Sequence, residues 1–416
     1  MKAVNELNCQ TYHAKPLKRI YIEKFGKTEK RPLGIPTMRD RAMQALQLLA
    51  LEPVAETTAD RISFGFRKYR SPEDAREYAF RILSRKDSPQ WILEGDIKSC
   101  FDKISHEWMM EHIPTDKRIL KEFMKCGYIN KGKLYPTTEG SPQGGVISPT
   151  YANMVLDGME PMILNVYWRS KVKKTFGVKY NSHKVHMVRF ADDFIVTASD
   201  KETLEAIKQM LESFLRERGL TLSMEKTVIT HINSGFDFLG WNFRKFKGKL
   251  IIKPSSKSMR KVTKKISEII KNNRTTKQEI LIQRLNQVLI GWANYHQGTC
   301  AKKCFGTIDN RTWKMLWKWA KRRHPNKKHQ WIVDKYWKEY KGRRWAFRTE
   351  KSILFSMSDM PIVRKSQMAL DKNAFLDKEY FQKRSQKHRQ KRKMAMSSNN
   401  AAHIGIMRYR CVSGMQ

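Results

Sequence analysis

The chain has 416 residues, of which 40% are hydrophobic, and a formal net charge of +42. That length and apolar content fit a packed core in two or three domains. No apolar run reaches about eighteen residues, which argues against a helical membrane span. The opening MKAVNELNCQ lacks the apolar stretch of a secretory signal. The six cysteines, at 9, 100, 126, 300, 304 and 411, follow no framework spacing and read as reduced thiols. Cys300 and Cys304 lack the second pair that a zinc site needs.

The charge is unevenly placed. Residues 1–240 carry 38 Lys and Arg against 30 Asp and Glu, a net of +8. Residues 241–416 carry 44 against 10, a net of +34. The first part is charged like an ordinary enzyme. The second repels itself unless an anion such as a phosphate backbone neutralises it.

In chain order, KRIYIEKFGKTEKRPLGIP at 18–36 reads as strand, turn, strand, punctuated by Gly26 and Gly34. Asp40 is expected to cap a helix whose inward stripe is Met43, Leu46, Leu49 and Ala50, ending near Pro53. ISFGFRKYRS is a turn. Ser71-Pro72-Glu73 then opens a second helix, with proline in its first turn. Trp91-Ile92-Leu93 is a buried strand, with Asp96 at or just past its carboxyl end. Residues 106–126 read as helical, 139–149 (EGSPQGGVISP) as a Gly/Pro-rich loop, and 149–163 as one helix.

HMVRFADDFIVTAS is two apolar strands around Ala191-Asp192-Asp193, a tight hairpin with both carboxylates at its tip. Asp200 caps the next helix, whose face is Leu204, Ile207, Leu211, Phe214 and Leu215 and which ends at Gly219. LTLSMEKTVIT is a further strand. Strand, helix, strand, strand, helix, strand is the split βαβ order. Residues 257–345 read as mostly helical, with Trp292, Trp313, Trp317, Trp319, Trp331, Trp337 and Trp345 among many basic residues. Trp292 and Tyr295 lie three apart and share a helical face that reads as core. KRSQKHRQKRK at 383–393 carries seven Lys and Arg, and the last twenty or so residues read as disordered.

The three aspartates carry the chemistry. Phosphoryl transfer needs positioning and charge stabilisation, commonly by two metal ions about 3.5–4 Å apart. Such ions need hard oxygen ligands held rigidly. A carboxylate at one strand end, Asp96, and two on a neighbouring hairpin, Asp192 and Asp193, supply them. Asp96 and Asp192 are expected to bridge both ions, with Asp193 holding one or orienting the site.

RPLGIPTMRDRAMQALQLLALEP, SFGFRKYRS, WILEGDIKSCFDKISH, GSPQGGVISPTYANMVLDGME, VRFADDFIV, MEKT and FDFLGWNF resemble, in order, the sequence blocks of group II intron reverse transcriptases. RLNQVLIGWANYHQG resembles the start of that family's maturase domain, also called domain X. The resemblance runs from about residue 15 to about 380. It implies an α+β right-hand polymerase, with fingers and palm over 1–245. An α-helical thumb and maturase region over 246–345 and a basic, DNA-binding-like segment and tail over 346–416 would follow.

The resemblance also implies roles for residues. Asp96, Asp192 and Asp193 match the catalytic carboxylates that hold two Mg2+ ions, for which Mn2+ can substitute. Lys24 and Arg31 match fingers residues that grip the triphosphate, a contact suited to charge-assisted hydrogen bonds. Arg67 is expected to reach template or nucleotide. Phe101 resembles the gate that excludes a 2′-hydroxyl. Gln143, Gly144 and Gly145 match the loop along nucleotide and template, where glycine permits close backbone approach. Lys226 matches a palm lysine that assists pyrophosphate departure, and Leu239-Gly240 the turn that positions the primer. Phe190 replaces the family's usual Tyr near the primer end, and Ser141 its usual Thr.

The implied partners are intron RNA, an RNA template, a DNA primer or target, and dNTPs. A basic helical surface with aromatics suits structured RNA. No membrane partner is expected, a homo-oligomer is left open, and the place expected is a bacterial cytoplasm, on nucleic acid. Neither the family's N-terminal extension nor its Cys/His-rich HNH nuclease module is expected, so DNA cleavage by this chain is not. Two other readings stay open: a splicing cofactor with a dormant polymerase, and a host-adopted polymerase in phage defence or repair.

Overall fold

The computed structural model describes residues 7–23, 30–170, 179–340 and 343–400. The described residues form two compact units, one of those up to 238 together with 367–382, the other of those in 239–366 together with 383–400. The break thus falls a little ahead of the expected boundary at 245. The expected disorder of the extreme tail concerns residues that lie mostly outside those described.

In the first unit, β1 (Leu17–Glu23) and β2 (Lys30–Ile35) form the expected antiparallel pair. The helix α1 (Met38–Thr58) is capped by Thr37, whose hydroxyl accepts the Asp40 N–H. Asp40 itself is buried and accepts the Tyr12 hydroxyl at 2.8 Å. Three of the four residues of the expected inward stripe face outward. Met43 is buried, but Leu46, Leu49 and Ala50 are exposed, and Gln44, Leu51, Ala55 and Glu56 turn inward instead. Pro53 does not end the helix. It removes one backbone bond, while Ala55 and Glu56 beyond it are held by burial.

Ser71 opens α2 (Pro72–Leu83) through a reciprocal capping box with Asp74. β3 (Trp91–Asp96) follows, with Asp96 as its last residue. The helical stretch expected over 106–126 is divided. A short α3 (Cys100–Lys103) precedes α4 (His106–His112), and Pro114 separates α4 from α5 (Lys117–Lys125). β4 (Tyr128–Asn130) and β5 (Lys133–Tyr135) form a small hairpin, with β4 parallel to β1. The expected helix over 149–163 is also two, α6 (Ser148–Leu156) and α7 (Met159–Tyr167), because Gly158 at φ +103° turns the chain.

β6 (Arg169–Ser170) and β7 (Lys179–Tyr180) pair. β8 (His186–Phe190) and β9 (Asp193–Ala198) are the expected hairpin. Asp200 caps α8 (Lys201–Arg216), accepting the Thr203 N–H. β10 (Val228–His231) pairs with β3, and β11 (Phe236–Phe238) ends the stretch against β3 and β9. The central sheet order is β10-β3-β9-β8. Helices α6, α7 and α8 cover it, with Val155, Ile163, Val196, Leu204 and Leu211 in one core. Residues 367–382 belong to the same unit. Tyr69 stacks on Phe381 at 5.0 Å, and the Lys68 ammonium lies over Phe375.

In the second unit, β12 (Trp241–Phe246) and β13 (Lys249–Pro254) pair as a hairpin. Four helices follow: α9 (Ser256–Asn272), α10 (Gln278–His296), α11 (Lys302–Arg323) and α12 (His329–Tyr336). Each turns a stripe such as Val262, Ile266, Ile270 inward. Trp319, Tyr336, Trp337 and Phe347 join that core. β14 (Trp337–Tyr340) and β15 (Arg343–Phe347) form a hairpin that the helical reading did not anticipate. In α13 (Lys378–Asn400), Lys387, Arg389 and Lys393 of the basic run are exposed. No helix among the described residues is long and apolar enough to cross a membrane.

Candidate active site

Strand register brings the carboxylates together. β3 and β9 run antiparallel, with Asp96 directly opposite Asp193. β8 and β9 are joined by the two-residue turn Ala191-Asp192, with Phe190 opposite Asp193. Ala191 takes φ +57°, the left-handed conformation that such a tight hairpin demands. The hairpin holds its register because Val188, Phe194, Ile195 and Val196 are buried. Gly95 is required opposite Phe194, since the ring lies where a side chain at 95 would stand.

Asp192 and Asp193 sit in a buried, acidic setting that disfavours their charged forms. Burial, then the charges of Asp192 and Asp96 and a hydrogen bond with Asp96, push the Asp193 carboxyl up to about 7. Burial and the Asp96 charge also raise Asp192, while Arg31 and Lys226 hold it down. The Lys226 ammonium is ion-paired with Asp96. Among the described residues, no three His, Cys, Asp or Glu side chains stand in a ready metal-holding arrangement. The lysine instead takes up the Asp96 oxygen.

Sequence reasoning missed what holds this hairpin from behind. Phe64 N–H donates to the Arg189 carbonyl at 2.9 Å, and Arg189 N–H to the Ile62 carbonyl at 3.1 Å. The SFGF segment therefore runs alongside β8, and a side chain on Gly65 would collide with the Ala191 backbone. Asn153 Nδ2 donates to the Gly65 carbonyl at 2.8 Å. The fully buried Arg189 guanidinium is ion-paired with Asp157 and lies 3.8 Å from Asp60. Asp60 in turn accepts the Gly158 N–H at 2.9 Å. Burial raises the Asp157 carboxyl to about 6, against the pull of Arg189. No local pattern flags these residues. Only the fold brings 60, 153, 157 and 189 to one place.

Arg67 is part of the same support, which corrects the template-contact expectation. Its side chain is 6% exposed and donates two bonds to Glu56, both at 2.7 Å, and others to the Asp60 and Ser63 carbonyls. A guanidinium so engaged has no edge left for a nucleic acid.

The 139–147 loop is fixed at both ends. Gly34 N–H donates to the Gln143 carbonyl at 2.8 Å, and Val146 N–H to the Gln44 side chain at 2.7 Å. Gly144 takes φ +117°, which only glycine adopts without strain, and Gly145 packs closely on Ser148. Ser141 N–H donates to the Phe101 carbonyl at 2.6 Å, and His106 Nε2 lies 2.7 Å from the Gly140 carbonyl. Phe101 is half-buried, edge-on to Phe66 at 6.4 Å. Lys24 lies outside the described residues. Leu239 (φ +49°) and Gly240 (φ +81°) form a strained turn in the second unit, where the Tyr295 hydroxyl donates to the Leu239 carbonyl at 2.8 Å. Tyr295 also stacks on Trp241 at 4.5 Å, and Trp292 donates to Ser258, so both aromatics of that pair pack inward.

The family described as reverse transcriptase (RNA-dependent DNA polymerase) matches residues 22–243, more than half of the chain. The chain belongs to the reverse transcriptase family. Within this reverse transcriptase, residues 259–337 match the group II intron maturase-specific domain. Protein YkfC of Escherichia coli (strain K12) is 35% identical over 266 residues, 57% of this chain and 68% of that protein. The group II intron-encoded protein LtrA of Lactococcus lactis subsp. cremoris is 29% identical over 298 residues, 58% of this chain and 49% of its own. The putative COX1/OXI3 intron 1 protein of Saccharomyces cerevisiae is 29% identical over 286 residues, covering 58% and 34%. The chain thus spans half or less of the length of the last two. Divalent metal ions are the general requirement of this family.

Proposed function

We propose that this reverse transcriptase copies RNA into DNA from dNTPs with two Mg2+ ions, and that its maturase domain binds intron RNA to assist splicing and mobility. The observation that carries the polymerase reading is the register of Asp96 against Asp193, with Asp192 on the adjoining two-residue turn. Burial first, and then neighbouring carboxylate charge, raises Asp192 and Asp193, and carboxylate oxygens are the donors that Mg2+ prefers. Asp96, Asp192 and Asp193 would hold the ions. Bound ions would supply charge for the developing oxyanions. Lys226, ion-paired with Asp96 in this structure, would assist pyrophosphate departure.

The remaining roles follow the resemblance of these residues to the family's sequence blocks. Arg31, whose charge is felt at Asp192, and Lys24 would grip the triphosphate. The 143–145 backbone would lie along nucleotide and template. Phe101 would crowd the sugar's 2′ position, and Phe190 and the 239–240 turn would meet the primer end. The basic second unit, with maturase-domain similarity, would bind intron RNA by phosphate and 2′-hydroxyl contacts.

The test is primer extension on an RNA template with dNTPs and Mg2+. Wild type should extend. Asp192→Asn, which keeps the side chain's size, should lose at least about 100-fold in rate, the scale on which charge-stabilising groups act. Extension by Asp192→Asn at the wild-type rate would overturn the assignment.

A further inference from the structure

We propose that one face of the β2-β1-β4-β5 sheet is a stacking platform for the unpaired 5′ stretch of the template RNA. This rests on the polymerase reading, and it adds a binding surface away from the carboxylates. Tyr128 and Tyr135 are cross-strand partners, and their rings stack 5.3 Å apart at 14°. The Arg19 guanidinium lies 3.9 Å from the centre of the Tyr128 ring. Since β1, β4 and β5 are consecutive in the sheet, guanidinium, ring and ring form one pile across it. β5 is the edge strand, so the pile ends on Tyr135, which is 39% exposed. Tyr21 projects from the same face of β1, 51% exposed, and its hydroxyl accepts from Asn130 at 3.4 Å.

The register places the charges too. Tyr21 lies opposite Pro32, and Glu23 opposite Lys30. Lys133 pairs with Asn130. Arg19, Tyr21, Lys30, Asn130, Lys133 and Tyr135 therefore share one face, by the two-residue period of strands. Its formal charges are positive save for Glu23, and Lys131 adds another at the β4–β5 turn. Ring faces open to water beside ammonium groups fit unpaired bases joined by phosphates, because every base has a face to stack. The opposite face carries Ile22, Ile129 and Leu134 and lacks this pairing of ring and cation.

Position along the chain selects the template as occupant. Tyr135 precedes Gln143 by eight residues, a reach of at most roughly 29 Å. A few nucleotides of unpaired template ahead of the copied base can cover that span.

The experiment uses the full chain and primer–template duplexes whose RNA strand overhangs by about one or about twelve nucleotides. Binding is read by fluorescence anisotropy at fixed salt. Tyr135→Ala and Arg19→Ala should weaken binding of the long overhang about ten-fold, in the range of one stacked base. They should leave the short overhang and its extension rate unchanged. Tyr135→Trp should retain the long-overhang advantage and Tyr135→Leu should lose it, at equal thermal stability. Equal losses on both duplexes, no loss on either, or full retention by Tyr135→Leu would overturn the proposal. Failure of wild type to extend the short-overhang primer would instead break the polymerase reading, leaving the binding difference to be judged separately.

Discussion

The two units bury different things. The first, near neutral in charge over residues 1–240, places ionised groups inside: Arg189 with Asp157 and Asp60, and Arg67 and Arg70 with Glu56. The second carries most of the +42 and fills its core with rings, such as Trp319 against Tyr336 and Trp337 against Phe347. Buried ion pairs add little net stability, because desolvation offsets their attraction. They hold geometry, since each hydrogen bond fixes a direction. Aromatic packing tolerates small shifts, and it leaves long cationic side chains free at the surface. The unit that must fix three carboxylates uses the first device. The unit that must meet a long polyanion uses the second.

The largest effect should come from breaking the buried network. Arg189→Met leaves Asp60 and Asp157 without their counter-charge, and removal of one buried partner costs about 3–5 kcal/mol. Calorimetry should show the first unit's transition fall by roughly 10 °C, with the second unit's transition in place. A loss below about 1 kcal/mol would show that the network does not fix the hairpin.

That network also marks where sequence reading ends. The apolar runs around Asp96 and around Ala191-Asp192-Asp193 were legible because strand burial is a local, periodic signal. The capping residues Asp200 and Ser71 were legible for the same reason. Helix α1 was misread on its face because Leu46, Leu49 and Ala50 are apolar yet exposed, while Gln44 and Glu56 turn inward to bond Val146 and Arg67. Hydrophobicity alone cannot order such a helix. Arg67 looked like a nucleic-acid contact because its partner, Glu56, lies on another element. The β14–β15 hairpin was hidden because strands of four and five residues next to helices leave too short an alternation to read.

A smaller effect should separate the units by charge. Changing Lys387, Arg389 and Lys393 of α13 to Gln should flatten the salt dependence of RNA binding. The slope should fall by about 2 to 3, at roughly 0.7–0.9 for each phosphate that is no longer neutralised. The same charge removed from the first unit at Lys86, Lys201 and Arg216, all exposed, should leave the slope alone. Equal flattening by both triples would mean that RNA is drawn to the whole surface, and that the uneven charge does not divide the work.

The smallest effect concerns acid. His186, on β8, sits edge-on to Trp168 at 5.4 Å. Burial, then the nearby Arg85 and Arg81, lower its pKa from the usual 6.5 to about 4. The unfolded chain therefore binds a proton near pH 6.5 that the folded chain refuses until about pH 4. Stability from this group is fully present above pH 6.5 and is lost as pH falls toward 4. Asp157 acts in the opposite sense, since its raised value favours the folded state as pH falls through about 6. His186→Gln should remove the histidine component alone, so denaturant midpoints of wild type and variant should diverge as pH falls from 6.5 to 4. Added salt should barely change that divergence, because burial dominates it. In the second unit, His324 is lowered by desolvation and then by Lys335, Arg323 and Lys327, and salt should screen the part due to those cations. A salt-sensitive divergence at His186 would place it among surface charges and blur the contrast between a unit that buries its titrating groups and one that displays them.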